Sequence, residues 1–305
     1  MNSRGAASDS FNAAVERQTG RYGDKPFLTW YDDGRGERVE LSFRTFENWV
    51  AKTANLLVDE LGAEPGDQVG VLLVDHWQTP VVLAGCWRAG LRVAVLDPAA
   101  PDPPSGRLVA AFVREEFLAT TGAALEGAAV VALTADLLGR GAHDLGRALS
   151  FPRVVPGMGD LVAGGPDPAG DALVAGDGAA TMAGLLDRAA GLAARTGLTD
   201  ADRMLSGRRL LGVDGAVAGL LAPFTAGAGV VLGRDLEPAR FWKRVADERV
   251  AVAVLDPDQA ASVLAAAPPP AGLDRSRLRV VACPGAAEAV AAGFRASFGI
   301  PLLRG

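Results

Sequence analysis

Lysine is nearly missing from this chain. Lys25, Lys52 and Lys243 are the only three, and arginine supplies the other twenty-seven of the thirty basic residues. The net charge is −6 and the basic residues form no block. That excludes the clustered cationic surface a nucleic-acid partner needs. Cysteine is equally scarce: Cys86 and Cys283 make neither a disulfide framework nor, by themselves, a metal site, and no metal is expected. The opening MNSRGAASDSF lacks the apolar core of a secretory signal, which points to the cytoplasm. The one long charge-free run, Gly215–Gly233, carries five glycines and Pro223. It is expected to be a helix, a turn at Pro223–Gly229 and a buried strand, so no membrane contact is predicted.

What is present suits a globular protein. Hydrophobic residues make up 49% and charged residues 22% of 305, enough for a buried core in one large domain or two ordinary ones. Leu41–Leu61 places Phe46, Trp49, Val50, Leu57, Val58 and Leu61 on one helical face, with Ser42 as its expected N-cap. Gly62 and Pro65–Gly66–Asp67 stop it. Strands are predicted at Gln68–Val74 and Arg92–Leu96, joined by a helix that opens at Thr79–Pro80 and closes at Gly90. Strand, helix, strand with short links implies a parallel sheet. Strands at Phe117–Ala119 and Ala129–Leu133 are weaker, 98–106 reads as a loop, and the Gly/Pro/Asp-dense Gly157–Gly170 reads as a linker. Domains are therefore expected at 1–156 and 171–305. Beyond the linker, Ala172–Ala175, Val230–Leu232, Val250–Leu255 and Leu278–Ala282 read as strands. Thr181–Thr196, Ala216–Leu221, Pro238–Glu248, Asp258–Ala266 and Ala286–Phe298 read as helices, giving an α/β protein.

Several ordered stretches resemble one superfamily. Leu41–Phe46 is similar to an L-T/S-Y/F-x-x-L/F helix entry, and Glu64–Val69 to x-P-G-D-x-V. Trp87–Pro98 resembles a K/R-A-G strand ending in L/I-D/N-P. Leu198–Arg203 resembles L-x-x-x-D-R, and Leu220–Leu232 resembles L-L-x-P-L-x-x-G-A-x-V-V-L. Leu278–Pro301 resembles LR-x-x-x-x-G-G-A followed by F-G-I-P. Together they resemble the large N-terminal domain of adenylate-forming enzymes: acyl-CoA synthetases, luciferases and peptide-synthetase adenylation domains. Residues 31–57 are also similar to a short, uncharacterised actinobacterial family related to these ligases. The resemblance implies two α/β subdomains with parallel-rich sheets flanked by helices. It also implies truncation, because the chain stops at Leu302–Gly305 before a Tyr-Gly-x-Thr-Glu motif whose glutamate binds magnesium, and the C-terminal lid domain with its catalytic lysine is missing.

Active relatives carry a phosphate loop, T-S-G-S/T-T-G-x-P-K-G. The corresponding position here is Val174–Thr181, VAGDGAAT. The hydroxyl-rich run and the lysine are gone, and Asp177 adds a negative charge. A triphosphate needs N–H donors, hydroxyls and a cation. Arg188, nearly two turns into the next helix, is expected to lie too far away to replace the lysine. An aromatic–histidine pair expected near Leu211–Asp214 is also missing. Gly176, Gly178 and Thr181 are the remnant cofactor-binding candidates, on a strand–turn–helix geometry. Cys283, Pro284 and Gly285, at a strand end where α/β ligand sites lie, are the substrate-binding candidates.

Other residues have ordinary readings beside functional ones. His76 is read as a helix-entry or surface residue rather than a base, and His143 lies in a loop. Cys86 is core, and Cys283 is a small buried residue before it is a nucleophile. Asp97–Pro98 and Asp256–Pro257 are turn starters before they are ligands. Trp30, Trp49, Trp77, Trp87 and Trp242 are candidates to line a pocket, but Trp49 and Trp87 lie on helical apolar faces and read as packing residues. The resulting expectation is a degenerate acyl-adenylate-forming homologue with no catalytic residue and no cofactor of its own, binding a small carboxylate or acyl ligand or acting in regulation. The alternatives are an ATP- and magnesium-using ligase with an unusual loop, and a scaffold subunit pairing with an intact ligase. A homodimer covering an exposed sheet edge is also expected.

Overall fold

The computed structural model describes residues 10–97, 107–121, 125–134, 145–233, 236–266, 269 and 271–305. His143, the 98–106 loop and the first nine residues lie outside them. In chain order the first half contains α1 (Phe11–Tyr22), β1 (Pro26–Asp32), β2 (Glu37–Ser42), α2 (Phe43–Asn55), β3 (Gln68–Leu72), α3 (Gln78–Arg88), β4 (Arg92–Val95), β5 (Leu108–Arg114), β6 (Ala129–Leu133), β7 (Leu149–Ser150) and α4 (Phe151–Val154). The second half contains β8 (Asp171–Ala175), β9 (Gly178–Thr181), α5 (Met182–Thr196), β10 (Arg203–Ser206), α6 (Val213–Ala216), α7 (Ala222–Ala226), β11 (Gly229–Gly233), α8 (Pro238–Asp247), β12 (Val252–Val254), α9 (Pro257–Ala265), β13 (Val280–Ala282), α10 (Glu288–Phe298) and β14 (Leu302–Leu303).

The chain forms two compact units. Unit 1 comprises residues 1–23, 44–186 and 211–213; unit 2 comprises 24–43, 187–210 and 214–305. Each holds a seven-stranded sheet: β7-β6-β5-β3-β4-β8-β9 in unit 1 and β14-β13-β12-β10-β11-β1-β2 in unit 2. Every pairing is parallel except the edge hairpins β8–β9 and β1–β2. The two sheets share one strand order, with the hairpin entering last in unit 1 and first in unit 2. The repeat is one of topology, not of sequence.

In unit 1, α3 is buried on every side, as a helix with apolar residues all round must be. Trp87 donates its indole N–H to the Ala172 carbonyl at 3.0 Å and meets Phe11 edge to face. Residues 157–170, read from the sequence as a linker, lie inside unit 1 as a strap held by hydrogen bonds. Asn55 Nδ2 donates to the carbonyls of Gly159 (2.8 Å) and Leu161 (2.9 Å), and Lys52 Nζ to that of Met158 (2.6 Å). Asn12 Nδ2 donates to Gly165 O at 2.6 Å, and Gly165 N–H donates to Arg88 O. A Cβ on Gly90, whose φ is +77°, would lie 2.7 Å from the Pro166 carbonyl. Only glycine permits both that backbone angle and that approach.

In unit 2 one face of the sheet, through Leu205, Val231, Ala253 and Val281, packs on Phe241, Trp242, Val245 and Phe294. Two buried carboxylates brace the other end of the strands. Glu248 accepts from Tyr31 Oη, from Arg38 Nη2 at 3.2 Å and from Arg203 Nη1 at 2.5 Å, which ties the β1–β2 hairpin to β10. Asp202 is gripped by both Nη atoms of Arg279, at 2.9 and 2.7 Å, and by the Thr199 hydroxyl and amide.

Several sequence expectations need correction. Ser42 ends β2, paired with Pro26, and directly precedes α2. Phe117–Ala119 is not a strand. The strand is β5, and Glu115–Phe117 is a 3₁₀ turn from which Phe117 and Leu118 pack on the core. The chain does not turn at Pro223: the helix runs on to Ala226 and stops at Gly227, φ +70°. A π turn over Val217–Leu221 precedes the proline, and its wider turn relieves the clash a proline ring makes inside an α-helix.

Asn55→Ala removes both side-chain bonds to the strap and should cost about 1–3 kcal/mol, read as a lower urea midpoint for the loss of unit 1 signal; an unchanged midpoint refutes the strap. Burial alone would raise the Asp202 carboxyl, but the Arg279 fork and the Thr199 bonds outweigh it and hold it below the ordinary carboxylate range. The resulting stability is present above the unfolded-state value of about 4 and is lost as pH falls through the lower folded value. Thermal melts from pH 6 to 2 should show that acid loss, and Asp202→Asn should flatten it.

Candidate functional site

A parallel strand delivers its following loop at its C-terminal end. Where successive connections leave in opposite directions, those loops part and leave a crevice. In unit 2 the chain passes from β10 to β11 on one side and then to β12 on the other. The crevice therefore opens between β10 and β12, flanked by the loop after β13. Gly207, Arg208, Asp256 and Cys283–Gly285 stand at its rim.

Arg208 spans these loops. Its Nε lies 3.3 Å from Asp256 Oδ1, Nη1 lies 3.3 Å from Asp214 Oδ2, and Nη2 donates to the Pro284 carbonyl at 3.3 Å. Asp214 also meets Arg188 Nη1 at 3.7 Å. Gln259 fixes the rim: its Oε1 accepts from the Asp256 N–H and its Nε2 donates to the Gly207 carbonyl at 2.9 Å. Asp256 is thus a helix-entry residue and an arginine partner at once.

Of the three substrate-binding candidates, Pro284 supplies the carbonyl that holds Arg208. Gly285 turns the chain at φ +84°. Cys283 is fully buried. Burial pushes its thiol up, Arg208 pulls it down, and Asp256 pushes it up again, with a net rise. It is therefore the protonated thiol at neutral pH, the poorer nucleophile. Cys86 is buried and raised still further. His76 is buried in unit 1 beside Trp77, and its Nδ1 accepts from the Gln78 N–H at 3.3 Å, a helix-entry contact. Among the described residues no group of three or more His, Cys, Asp or Glu is placed to hold a metal ion, and no helix is long and apolar enough to cross a membrane.

The remnant phosphate turn lies in unit 1, and its geometry differs from the strand–turn–helix expectation. Ala175 pairs with Gly178 across an antiparallel hairpin, so only Gly176 and Asp177 form the turn. The chain then runs as β9 before α5 begins at Met182. Gly178 sits at φ +136°, open only to glycine. The Thr181 hydroxyl accepts from Gly184 N–H at 3.1 Å, as an N-cap does. Asp177 turns its carboxylate to the Val213 N–H at 2.9 Å, and a Cβ on neighbouring Gly212 would lie 2.8 Å from Asp177 Oδ2. A triphosphate does not fit this turn: its N–H groups belong to a two-residue hairpin and its side chain is an anion.

Arg208, Asp214 and Gln259 were not among the sequence candidates. The signal for Arg208 was its place two residues after an apolar strand, at Gly207, where a strand-end loop begins. Arg188 was weighed only against the phosphate turn; it reaches Asp214 because α5 carries it back to the strand-end loops of unit 2.

A sequence profile described as "AMP-binding enzyme" matches residues 15–111. A TIGR03089 family protein of Mycobacterium tuberculosis (strain ATCC 25618 / H37Rv) is 40% identical over 226 residues, covering 74% of this chain and 89% of that protein. Among solved structures, the anthranilate CoA ligase AuaEII in complex with anthranoyl-AMP superposes with a TM-score of 0.78 at 18% identity, over 96% of this chain and 59% of that one. The Brucella canis acyl-CoA synthetase gives 0.77 at 19% identity, over 95% of this chain and 56% of its own. The structural likeness is one of fold, and the chain spans less than three-fifths of the length of either ligase.

Thr181→Ala should destabilise α5 by about 1 kcal/mol, measured as a shift in the urea midpoint. Thr181→Ser, which keeps the cap, should restore it.

Proposed function

Because the chain belongs to the TIGR03089 family, within the AMP-binding, adenylate-forming superfamily, we propose that it is a degenerate acyl-adenylate-forming homologue. It keeps the sheets on which such ligases hold their ligands, does not by itself perform ATP-dependent ligation, and serves as a small-molecule-binding or regulatory protein. The observation that carries this reading is the two-residue β8–β9 turn. A phosphate cradle is a run of outward-pointing N–H groups with a cation beside it; a turn of two residues offers no such run, and its side chain is the anion Asp177.

The sign of the charge works in the same direction. Asp177 close to a phosphate oxygen opposes binding by about 4 kcal/mol per unit charge at 4 Å and an effective dielectric of 20. Its carboxylate also takes the Val213 N–H, a donor an incoming anion would otherwise find. Gly176, Gly178 and Thr181 act in this reading as turn and cap. Small-molecule binding in this reading falls to the unit 2 crevice at Cys283–Gly285.

Calorimetry with ATP·Mg on the purified chain tests the reading. No saturable heat is expected up to about 1 mM ligand, and a dissociation constant below a millimolar overturns it. Asp177→Lys, which exchanges the anion for a cation without rebuilding the loop, should also stay silent.

A further inference from the structure

At the end of unit 2 opposite the crevice, β12 and β13 begin side by side. Their register pairs Val252 with Val280, and three residues upstream on each strand stand Arg249 and Arg277. Arg275 lies two residues further back. Asp274 is the only carboxylate between residues 265 and 278. Its Oδ1 accepts from the Ser276 N–H at 3.0 Å and hydroxyl at 2.7 Å. Those bonds hold its carboxyl below the ordinary carboxylate range, and the nearby charges of Arg249 and Arg277 add to the effect. Three arginines thus surround one carboxylate, in a chain whose net charge is −6.

These arginines differ from the bracing ones. Arg203 and Arg279 close on the buried carboxylates Glu248 and Asp202. Arg275 makes no ion pair. Its guanidinium stands over Trp242, with Cζ 5.6 Å from the ring centroid, and its Nη1 is buried and makes no hydrogen bond. Trp242 is 3% exposed and wedged between Phe241 and Phe298, at 4.8 and 4.9 Å. Its indole N–H makes no hydrogen bond either. A buried donor without an acceptor is costly and calls for an explanation. Here two of them belong to one cation–ring pair. Arg249 adds a second cost. At φ +52° it is the one non-glycine residue with positive φ among the described residues. It directly follows the end of α8, the position glycine ordinarily fills, so a cation stands where glycine would be unstrained.

We propose that Arg249, Arg275, Arg277 and the Trp242 N–H form a binding site for a phosphate dianion, free or carried as a monoester on a small molecule. Three cations against Asp274 leave two positive charges, the number a dianion neutralises. Guanidinium forks match pairs of phosphate oxygens, and the indole N–H is a further donor. Nucleic acid would need a far longer basic run. The site goes beyond the function proposed above, because it uses neither the strand-end crevice nor the β8–β9 turn.

The test is calorimetry on the full chain at low salt, with inorganic phosphate and O-phosphoserine as probes. Saturable binding with a dissociation constant of about 1 mM or tighter is expected, weakening as salt is added. O-phosphoserine should bind more tightly as pH rises through about 6, where its phosphate gains the second charge. Arg275→Gln should weaken both probes about tenfold or more. Trp242→Phe keeps the packing, removes the N–H and should weaken them about fivefold. Asp274→Asn removes the internal competitor and should tighten both, a gain that no folding defect produces. Tighter binding of O-phosphoserine supports the site as one for a carried monoester, and tighter binding of inorganic phosphate supports it as one for the free ion. No saturable heat with either probe, an affinity unchanged in Arg275→Gln, or no tightening in Asp274→Asn overturns the proposal. Any ATP·Mg heat that Arg275→Gln abolishes belongs to this site. Heat that persists in that variant overturns the preceding reading instead, so the two failures are distinguishable.

Discussion

Parallel pairing is the constraint from which the rest follows. A parallel strand cannot return through a tight turn; it needs a crossover, and the crossovers cover the sheet. Strands such as β3 and β12 are therefore buried along their length and read as largely apolar runs. The same pairing sends the strand-end loops to one edge. In unit 2 the switch of direction after β11 parts those loops, and residues from four separate segments meet around Arg208.

Charged groups do two different jobs within that frame. At one end of the unit 2 strands, Glu248 and Asp202 are nearly buried and fully bonded, because a buried carboxylate without partners would carry a large desolvation cost. At the other end, Arg208, Asp214 and Asp256 are held at longer distances, and the two carboxylates are far more exposed.

The β8–β9 hairpin sits at the edge of an otherwise parallel sheet. The parallel pairing of β4 with β8 and the antiparallel return of β9 are intact. Only Gly176 and Asp177 lie between β8 and β9. A two-residue turn is a stable way to close a hairpin and an unsuitable way to surround a phosphate, and Asp177 points its charge at a backbone N–H within its own unit.

Much of the α/β alternation was legible in order. Gln68–Leu72, the helix through Pro80, Arg92–Val95, Ala129–Leu133 and the succession from α8 to α10 follow from apolar runs, glycines and prolines, all local signals. The first hairpin, β5, β7, β10 and β14 were missed: β2 is half exposed, β7, β10 and β14 are two to four residues long, and pairing defines these strands more than pattern does. Composition also set the net charge of −6, with two cysteines and three lysines, none of the lysines within 174–181. Only the tertiary structure decided that 157–170 is a bonded strap, that the phosphate turn is a closed hairpin, and that Arg188 and Arg208 converge on Asp214. Local sequence sets how a segment folds, because propensity and periodicity act over a few residues. Which distant segments meet is set by strand order, which emerges only when the sheet assembles.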